Sequence, residues 1–311
     1  MRDPSSMHGV VVEKAPAKIN LHLRIVSRLA DGYHELRTIF QALELHDRLE
    51  AVIADETSVQ VEGDAQTGPV EDNLVLRAVR AFRDTVPDAP HARLRLVKRI
   101  PAGAGLGGGS SDAAAALRAI NTLAGSPLPL ARLRTIGGSL GSDVPFFLCG
   151  SPRAYGEGRG ERLAPLAASP SAHVLLVDPG FPVATRDAFA WWDARHAQGP
   201  VGRGIAGMAD GARGTGAAGG ERAPPLGASE DFASLAGWAR NDFEDVVFER
   251  HPELRAIERA LHGAGAILAM LSGSGSCVYG IFDDPARAEA AERHVRKVMP
   301  AARVLRTRTV E

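Results

Sequence analysis

Residues 99–121 read RIPAGAGLGGGSSDAAAALRAIN, with glycine at 103, 105, 107, 108 and 109 and then an alanine-rich run. Glycine enters the positive-φ region at no steric cost and leaves backbone N–H groups uncovered by any Cβ, so successive amides can converge as an anion-binding nest. The run that follows has the composition of a helix, and a helix N-terminus adds unpaired N–H groups and the positive end of its dipole. Ser110 or Ser111 is expected to cap that helix. Loop and helix together predict a cradle for phosphate oxygens. A glycine-rich turn between packed elements is the competing reading.

Two familiar nucleotide loops fail on context. Gly103, Gly105 and Gly108 satisfy G-x-G-x-x-G, but a dinucleotide site wants an acidic residue about 20 positions on to hold the ribose, and AINTLAGSPLPLARLR has none. A Walker A loop ends in Lys-Ser or Lys-Thr, whereas here the last glycine meets Ser110 and Ser111. A third kind of nucleotide loop remains.

With 311 residues, 45% of them hydrophobic, the chain can bury one large core or two moderate ones, and two lobes are expected. The formal charge of −1, with acids and bases intermixed, offers no field for a nucleic-acid backbone or an anionic membrane. A small-molecule partner follows. No apolar run approaches the roughly 20 residues of a membrane helix, and MRDPSSMHGVVVEKAPAK lacks the apolar centre of a signal peptide, so a cytoplasmic protein is expected. Cys149 and Cys277 are too few and too far apart for a disulfide framework, and both read as buried thiols.

Along the chain, VVVEKAPAKINLHLRIV predicts strand, an interruption at Pro16, and strand again; a turn at Asp31-Gly32 precedes a further strand. LEAVIA and ARLRLVKRI predict separate strands, and Leu74, Val75, Ala78, Val79 and Phe82 are spaced for a helix between them. LPLARLRTIGGSL is a weaker helix because Gly137 and Gly138 interrupt it. A hairpin around Gly158, a strand HVLLVD, helices over 252–262 and 286–298, and strands flanking LSGSGS and at ARVLRTRTV complete the pattern. Residues 198–229, rich in Gly, Ala and Pro without apolar period, predict a flexible, dispensable insertion.

PAGAGLGGGSSDAAAAL resembles the phosphate loop of the GHMP small-molecule kinases, and LSGSGSCVYGIF is similar to that superfamily's C-terminal Gly/Ser motif. PAKINLHLRIVSRLADGYHELRTIFQAL and GSDVPFFLCG narrow the likeness to the branch that phosphorylates the 2-hydroxyl of a cytidine-diphosphate-linked polyol on the non-mevalonate route to isoprenoid precursors. Sugar, homoserine and mevalonate kinases of the same superfamily are the alternative, and a non-catalytic nucleotide-binding module is a further one.

The resemblance implies an α+β fold with a ribosomal S5 domain-2-like N-terminal lobe over 10–165 and a ferredoxin-like C-terminal lobe over 166–311, the active site lying between them. It implies ATP as phosphoryl donor, held by Pro101, Ala102, Gly103, Ala104, Gly105, Leu106, Gly107, Gly108, Gly109, Ser110 and Ser111, with Asn73 and Lys98 near the nucleotide; Lys98 could instead be solvated. Asp143 takes the role of base and Lys18 that of the cation beside it, which answers the need of a charge in an apolar strand for a partner. Asn20, Tyr33 and His34, and more weakly Phe181 and Thr185, correspond to positions that hold the acceptor. ATP chemistry implies Mg²⁺, for which Ser111 is the expected direct ligand. Asp112 is awkward beside a triphosphate unless a cation intervenes.

Overall fold

The computed structural model describes residues 9–63, 72–167, 169–197 and 231–311. The insertion expected at 198–229 lies outside them.

The chain opens on two long antiparallel strands, β1 (Val11–Arg28) and β2 (His34–Ala54). Pro16 does not break β1. The register slips between Pro16 and Lys18, a bulge at the residue that has no N–H to give the ladder, and the Lys18 N–H turns out to bond the Leu106 carbonyl at 2.9 Å. The two strands expected on either side of residue 46 are likewise one. Its first half pairs β5 (Arg153–Gly158) and its second half pairs β4 (His91–Val97), so polar residues at its centre sit where two partners diverge. β3 (Ser58–Glu62) runs parallel to β4, and β6 (Arg162–Pro165) closes the expected hairpin.

Helices α1 (Leu74–Thr85), α2 (Gly108–Leu123) and α3 (Leu130–Leu140) cover this first sheet around Phe82, Leu94, Leu96 and Ile120. The alanines of α2 are fully buried and let its backbone approach β1 and β2 closely. Gly137 leaves α3 intact for a packing reason: a Cβ there would press to 2.8 Å from Val144, in the turn that carries Asp143.

A second sheet, in the order β10 (Arg303–Arg308), β7 (His173–Asp178), β9 (Val278–Phe282), β8 (Leu268–Leu271), is antiparallel throughout. Its helices are α4 (Thr185–His196), α5 (Phe232–Ala236), α6 (Glu244–Arg250), α7 (Pro252–Gly263) and α8 (Pro285–Val298). The sequence pattern foresees α7 and α8 but not α4, α5 or α6. A core cluster joining Ile19, Leu21 and Ile39 to Val174, Met270 and Tyr279 fuses the two sheets. Cys277 is buried as expected, whereas Cys149 is only partly so, its thiol donating to the Ser151 carbonyl.

Candidate active site

The glycine loop leaves β4 and enters α2. Gly107, not a serine, is the N-cap: it adopts φ 71°, and no side chain caps the helix. Both serines lie inside the helix, and the Ser111 N–H is already bonded to the Gly107 carbonyl. The glycine cap suits a cradle better than a serine would. With no serine hydroxyl bonded across them, the first N–H groups of α2 remain available to an anion. They border a cleft of about 370 Å³ lined by Asn73, Leu74, Leu96, Lys98, Asp112 and the loop from Pro101 to Ser110.

Close approach explains why the loop is glycine. A Cβ on Gly107 would lie 2.9 Å from Lys18 Cγ, and one on Gly105 would collide with the Ser272 carbonyl oxygen. The expected catalytic pair therefore stands against the loop. Lys18 Nζ is 3.4 Å from Asp143 Oδ2, the lysine buried and the aspartate half-exposed. The ammonium also donates to Asn20 Oδ1 at 2.7 Å, Asn20 Nδ2 donates to Thr38 Oγ1, and Thr38 donates to the His22 carbonyl. This relay holds Lys18 in one rotamer while Asp143 stays open to solvent on one side.

The Gly/Ser loop at 272–276 forms the other wall. Ser272 Oγ donates to the Gly105 carbonyl, the Cys277 N–H donates to that of Ala104, and a Cβ on Gly273 would stand 3.3 Å from Lys18 Nζ. Asn241, which sequence reasoning missed, anchors it: its Nδ2 donates to the Leu271 and Gly273 carbonyls, both at 2.8 Å. Glu244, also missed, accepts the Leu271 N–H at 2.8 Å; burial pushes its carboxyl up to about 8. Both follow the insertion in the run NDFE, and an Asn-Asp pair before a helix is the only local signal they give.

Lys98 is not solvated. It is buried between Asp47 and Asp112, 2.5 Å from Asp112 Oδ2. Burial opposes its charge, but the Asp112 and Asp47 carboxylates outweigh that and raise its pKa. Burial likewise lifts Asp112 to about 7 against the pull of Lys98. Asp112 falls just past the first turn of α2, with this ammonium as its counter-ion. Asn73 lines the same cleft and caps α1 by accepting the Val75 N–H.

The remaining acceptor candidates divide. Thr185 begins α4 with its hydroxyl 3.0 Å from that of Ser274, and the Phe181 carbonyl accepts the Ser276 hydroxyl, so both join the Gly/Ser wall. The Phe181 ring itself stacks on His251. Tyr33 and His34 sit at the β1–β2 turn. Tyr33 is 55% exposed with the Arg159 guanidinium 3.5 Å over its ring. His34 is buried, stacked on Phe189 at 4.4 Å and bonded through Nε2 to Asp193 at 2.7 Å. Neither Phe189 nor Asp193 was foreseen, because α4 was not.

No cluster of three or more His, Cys, Asp or Glu side chains among the described residues could hold a metal ion. The Ser111 hydroxyl and Asp112 Oδ1 are nevertheless buried without hydrogen-bond partners beside the cradle. Oxygen donors this few suit Mg²⁺, which keeps waters and leans on phosphate.

Residues 73–151 match the GHMP kinases N terminal domain family and residues 226–301 the GHMP kinases C terminal family. The 4-diphosphocytidyl-2-C-methyl-D-erythritol kinase of Solibacter usitatus is 45% identical over 87% of this chain and 81% of its own. That of Geobacter sulfurreducens is 37% identical over 94% of this chain and 98% of its own. A crystal structure of 4-(cytidine 5'-diphospho)-2C-methyl-D-erythritol kinase superposes with a TM-score of 0.72 at 30% identity, covering 97% of this chain and all of the other. A Cytophaga hutchinsonii homoserine kinase shares the fold, with a TM-score of 0.66 over 100% of this chain and 97% of its own, at only 17% identity. The α+β architecture, the cradle and these likenesses along nearly the whole length agree: the chain belongs to the 4-diphosphocytidyl-2-C-methyl-D-erythritol kinase family of the GHMP kinases.

Proposed function

We propose that the protein transfers the γ-phosphoryl group of ATP to the 2-hydroxyl of 4-diphosphocytidyl-2-C-methyl-D-erythritol. The observation that carries the reading is the Lys18–Asp143 pair, 3.4 Å apart and set against Gly107 of the cradle. A protein that only bound nucleotide would need neither group. The acceptor hydroxyl oxygen forms the new bond to phosphorus as the bond from phosphorus to the bridging oxygen breaks, and ADP leaves. Asp143 takes the hydroxyl proton. Lys18 stabilises negative charge on the reacting oxygens and holds its place beside that carboxylate, so its role is positioning and charge stabilisation.

The open N–H groups of α2, with residues 101–111, hold the phosphates; Asn73 and Lys98 border the nucleotide. Asn20, Tyr33, His34, Phe181 and Thr185 hold the acceptor, whose cytosine can stack on an aromatic face. Mg²⁺ held by Ser111 would neutralise phosphate charge. The partner is thus a small molecule; a nucleic acid or membrane partner is not part of this reading. No helix among the described residues is long and apolar enough to cross a membrane, and a cytoplasmic location fits the reaction.

The homoserine and mevalonate kinases that share the fold do so at 12–17% identity, which carries architecture and not substrate. The test is to offer ATP and Mg²⁺ with the cytidyl substrate, homoserine and mevalonate, and to identify the product by mass and phosphorus NMR. Phosphorylation of the cytidyl substrate at its 2-hydroxyl is expected; turnover of homoserine or mevalonate without it would overturn the assignment.

A further inference from the structure

Asp47 stands at the centre of β2 with no exposed surface, in a stretch of the sequence that carries no motif. Its Oδ1 accepts the backbone N–H groups of Arg99 and Ile100, the latter at 2.9 Å, and its Oδ2 takes the Lys98 ammonium. All of these contacts fall on the three residues that lead into the glycine loop. Lys98 then reaches across to Asp112 in α2, and a Cβ on Gly108 would lie 3.3 Å from the same ammonium. One buried carboxylate therefore ties the entry of the loop directly and its exit through a single lysine.

The loop needs such a tie. Glycines with positive φ at 103, 105 and 107 leave it few side chains with which to fix its own shape. Burying a lysine with two carboxyl groups is costly, and well-packed apolar residues would often be at least as stabilising, so a role in geometry accounts better for the arrangement than stability alone. We propose that Asp47 is a positioning residue for the nucleotide: through Lys98 and the 99–100 amides it sets the glycine loop and the start of α2 at the spacing that receives phosphate. The proposal rests on reading the loop as the ATP cradle.

Asp47→Asn separates this role from support of the fold, since Asn retains an acceptor for the two amides and loses the charge that holds Lys98. Calorimetric titration with a non-hydrolysable ATP analogue should show affinity lowered about tenfold or more, the scale on which losing an outer partner weakens a site. KM for ATP should rise in step, while kcat at saturating ATP and KM for the acceptor stay within about twofold, since interactions with reacting groups are untouched. The uncharged triple variant Asp47→Asn/Lys98→Met/Asp112→Asn, which leaves no buried ion unpaired, should melt near the parent temperature and still bind the analogue weakly. Parental affinity in either variant would overturn the proposal. So would parallel losses in kcat, acceptor KM and melting temperature, which mark a merely structural residue. A parent enzyme that fails to bind the analogue would instead remove the reading of the loop as an ATP cradle, and this inference with it.

Discussion

Two glycine-rich loops, PAGAGLG at 101–107 and SGSGS at 272–276, meet back to back in this protein and differ in which backbone groups they leave free. The loop at 101–107 gives its Ala104, Gly105 and Leu106 carbonyls to the Cys277 N–H, the Ser272 hydroxyl and the Lys18 N–H, while the first N–H groups of α2 face the cleft with no serine side chain bonded across them. In the loop at 272–276 N–H groups as well as carbonyls are bonded within the protein. The Ser272 N–H bonds the Cys277 carbonyl, the Gly275 N–H bonds Ser272, and Asn241 collects the Leu271 and Gly273 carbonyls. Glycine thus serves a candidate cradle in one place and a wedge in the other. Carbonyls are bonded in both loops; what separates them is that the N–H groups following the first face the cleft, while those of Ser272 and Gly275 are bonded within the second.

Substitutions at Gly105 and Gly107 should separate the loops most sharply. Gly105→Val drives a side chain into the Ser272 carbonyl at a positive φ, and should cost more than about 4 kcal/mol in urea unfolding, the range of severe steric change. Gly107→Val meets only the flexible Lys18 chain and the edge of Phe147, so the fold should survive with a loss of roughly 1–2 kcal/mol from the strained backbone. Calorimetry should show its ATP affinity falling. Because Lys18 is displaced, turnover should fall too. Equal stability losses in the two variants would remove the distinction.

Asn241→Ala should break the wedge and spare the cradle. Two buried carbonyls lose their donor, costing about 1–3 kcal/mol by chemical denaturation, with nucleotide affinity unchanged.

A smaller effect concerns pH. Glu244 has its carboxyl raised from 4.5 to about 8 by burial, so between those values the folded state binds the proton that the unfolded state has released. Stability from this group is therefore full below about pH 4.5 and is lost as pH rises toward 8. Glu244→Gln keeps an acceptor for the Leu271 N–H and should flatten that fall in melting temperature across the window. An unchanged slope would show that another group governs it.

The parts of the candidate site that are legible in the sequence are those whose signal is local. The phosphate loop is a contiguous run, and Lys18 and Asp143 each stand inside a recognisable motif. Asp47, Asn241 and Glu244 are not legible there, because their partners lie far along the chain: Asp47 meets Lys98 across a strand pair, and two helices separate Asn241 from Leu271. Such pairings leave no local period in the residues that make them. The serine cap failed for a different reason. The propensity of Ser for N-caps is real, but the chain reaches α2 through a left-handed residue, which Gly107 adopts freely. The strand β2 was divided at its polar centre because an alternation rule cannot see that Asp47 is satisfied by backbone amides of another segment. Helix α4 escaped because Ala188 is its only fully buried residue, so its face carries little apolar period.

The central claim is that Lys18 and Asp143 act as one unit against the cradle, and single-turnover rates test it directly. With ATP and acceptor bound at saturation, Asp143→Asn should slow the chemical step by about 100-fold or more, the range for a positioned base. Lys18→Met should slow it as well. The double variant should be little worse than the poorer single, because groups that act together give non-additive losses. An Asp143→Asn enzyme within a few-fold of the parent would take Asp143 out of the chemistry, and fully additive losses would show that the contact between the two side chains is not a catalytic unit.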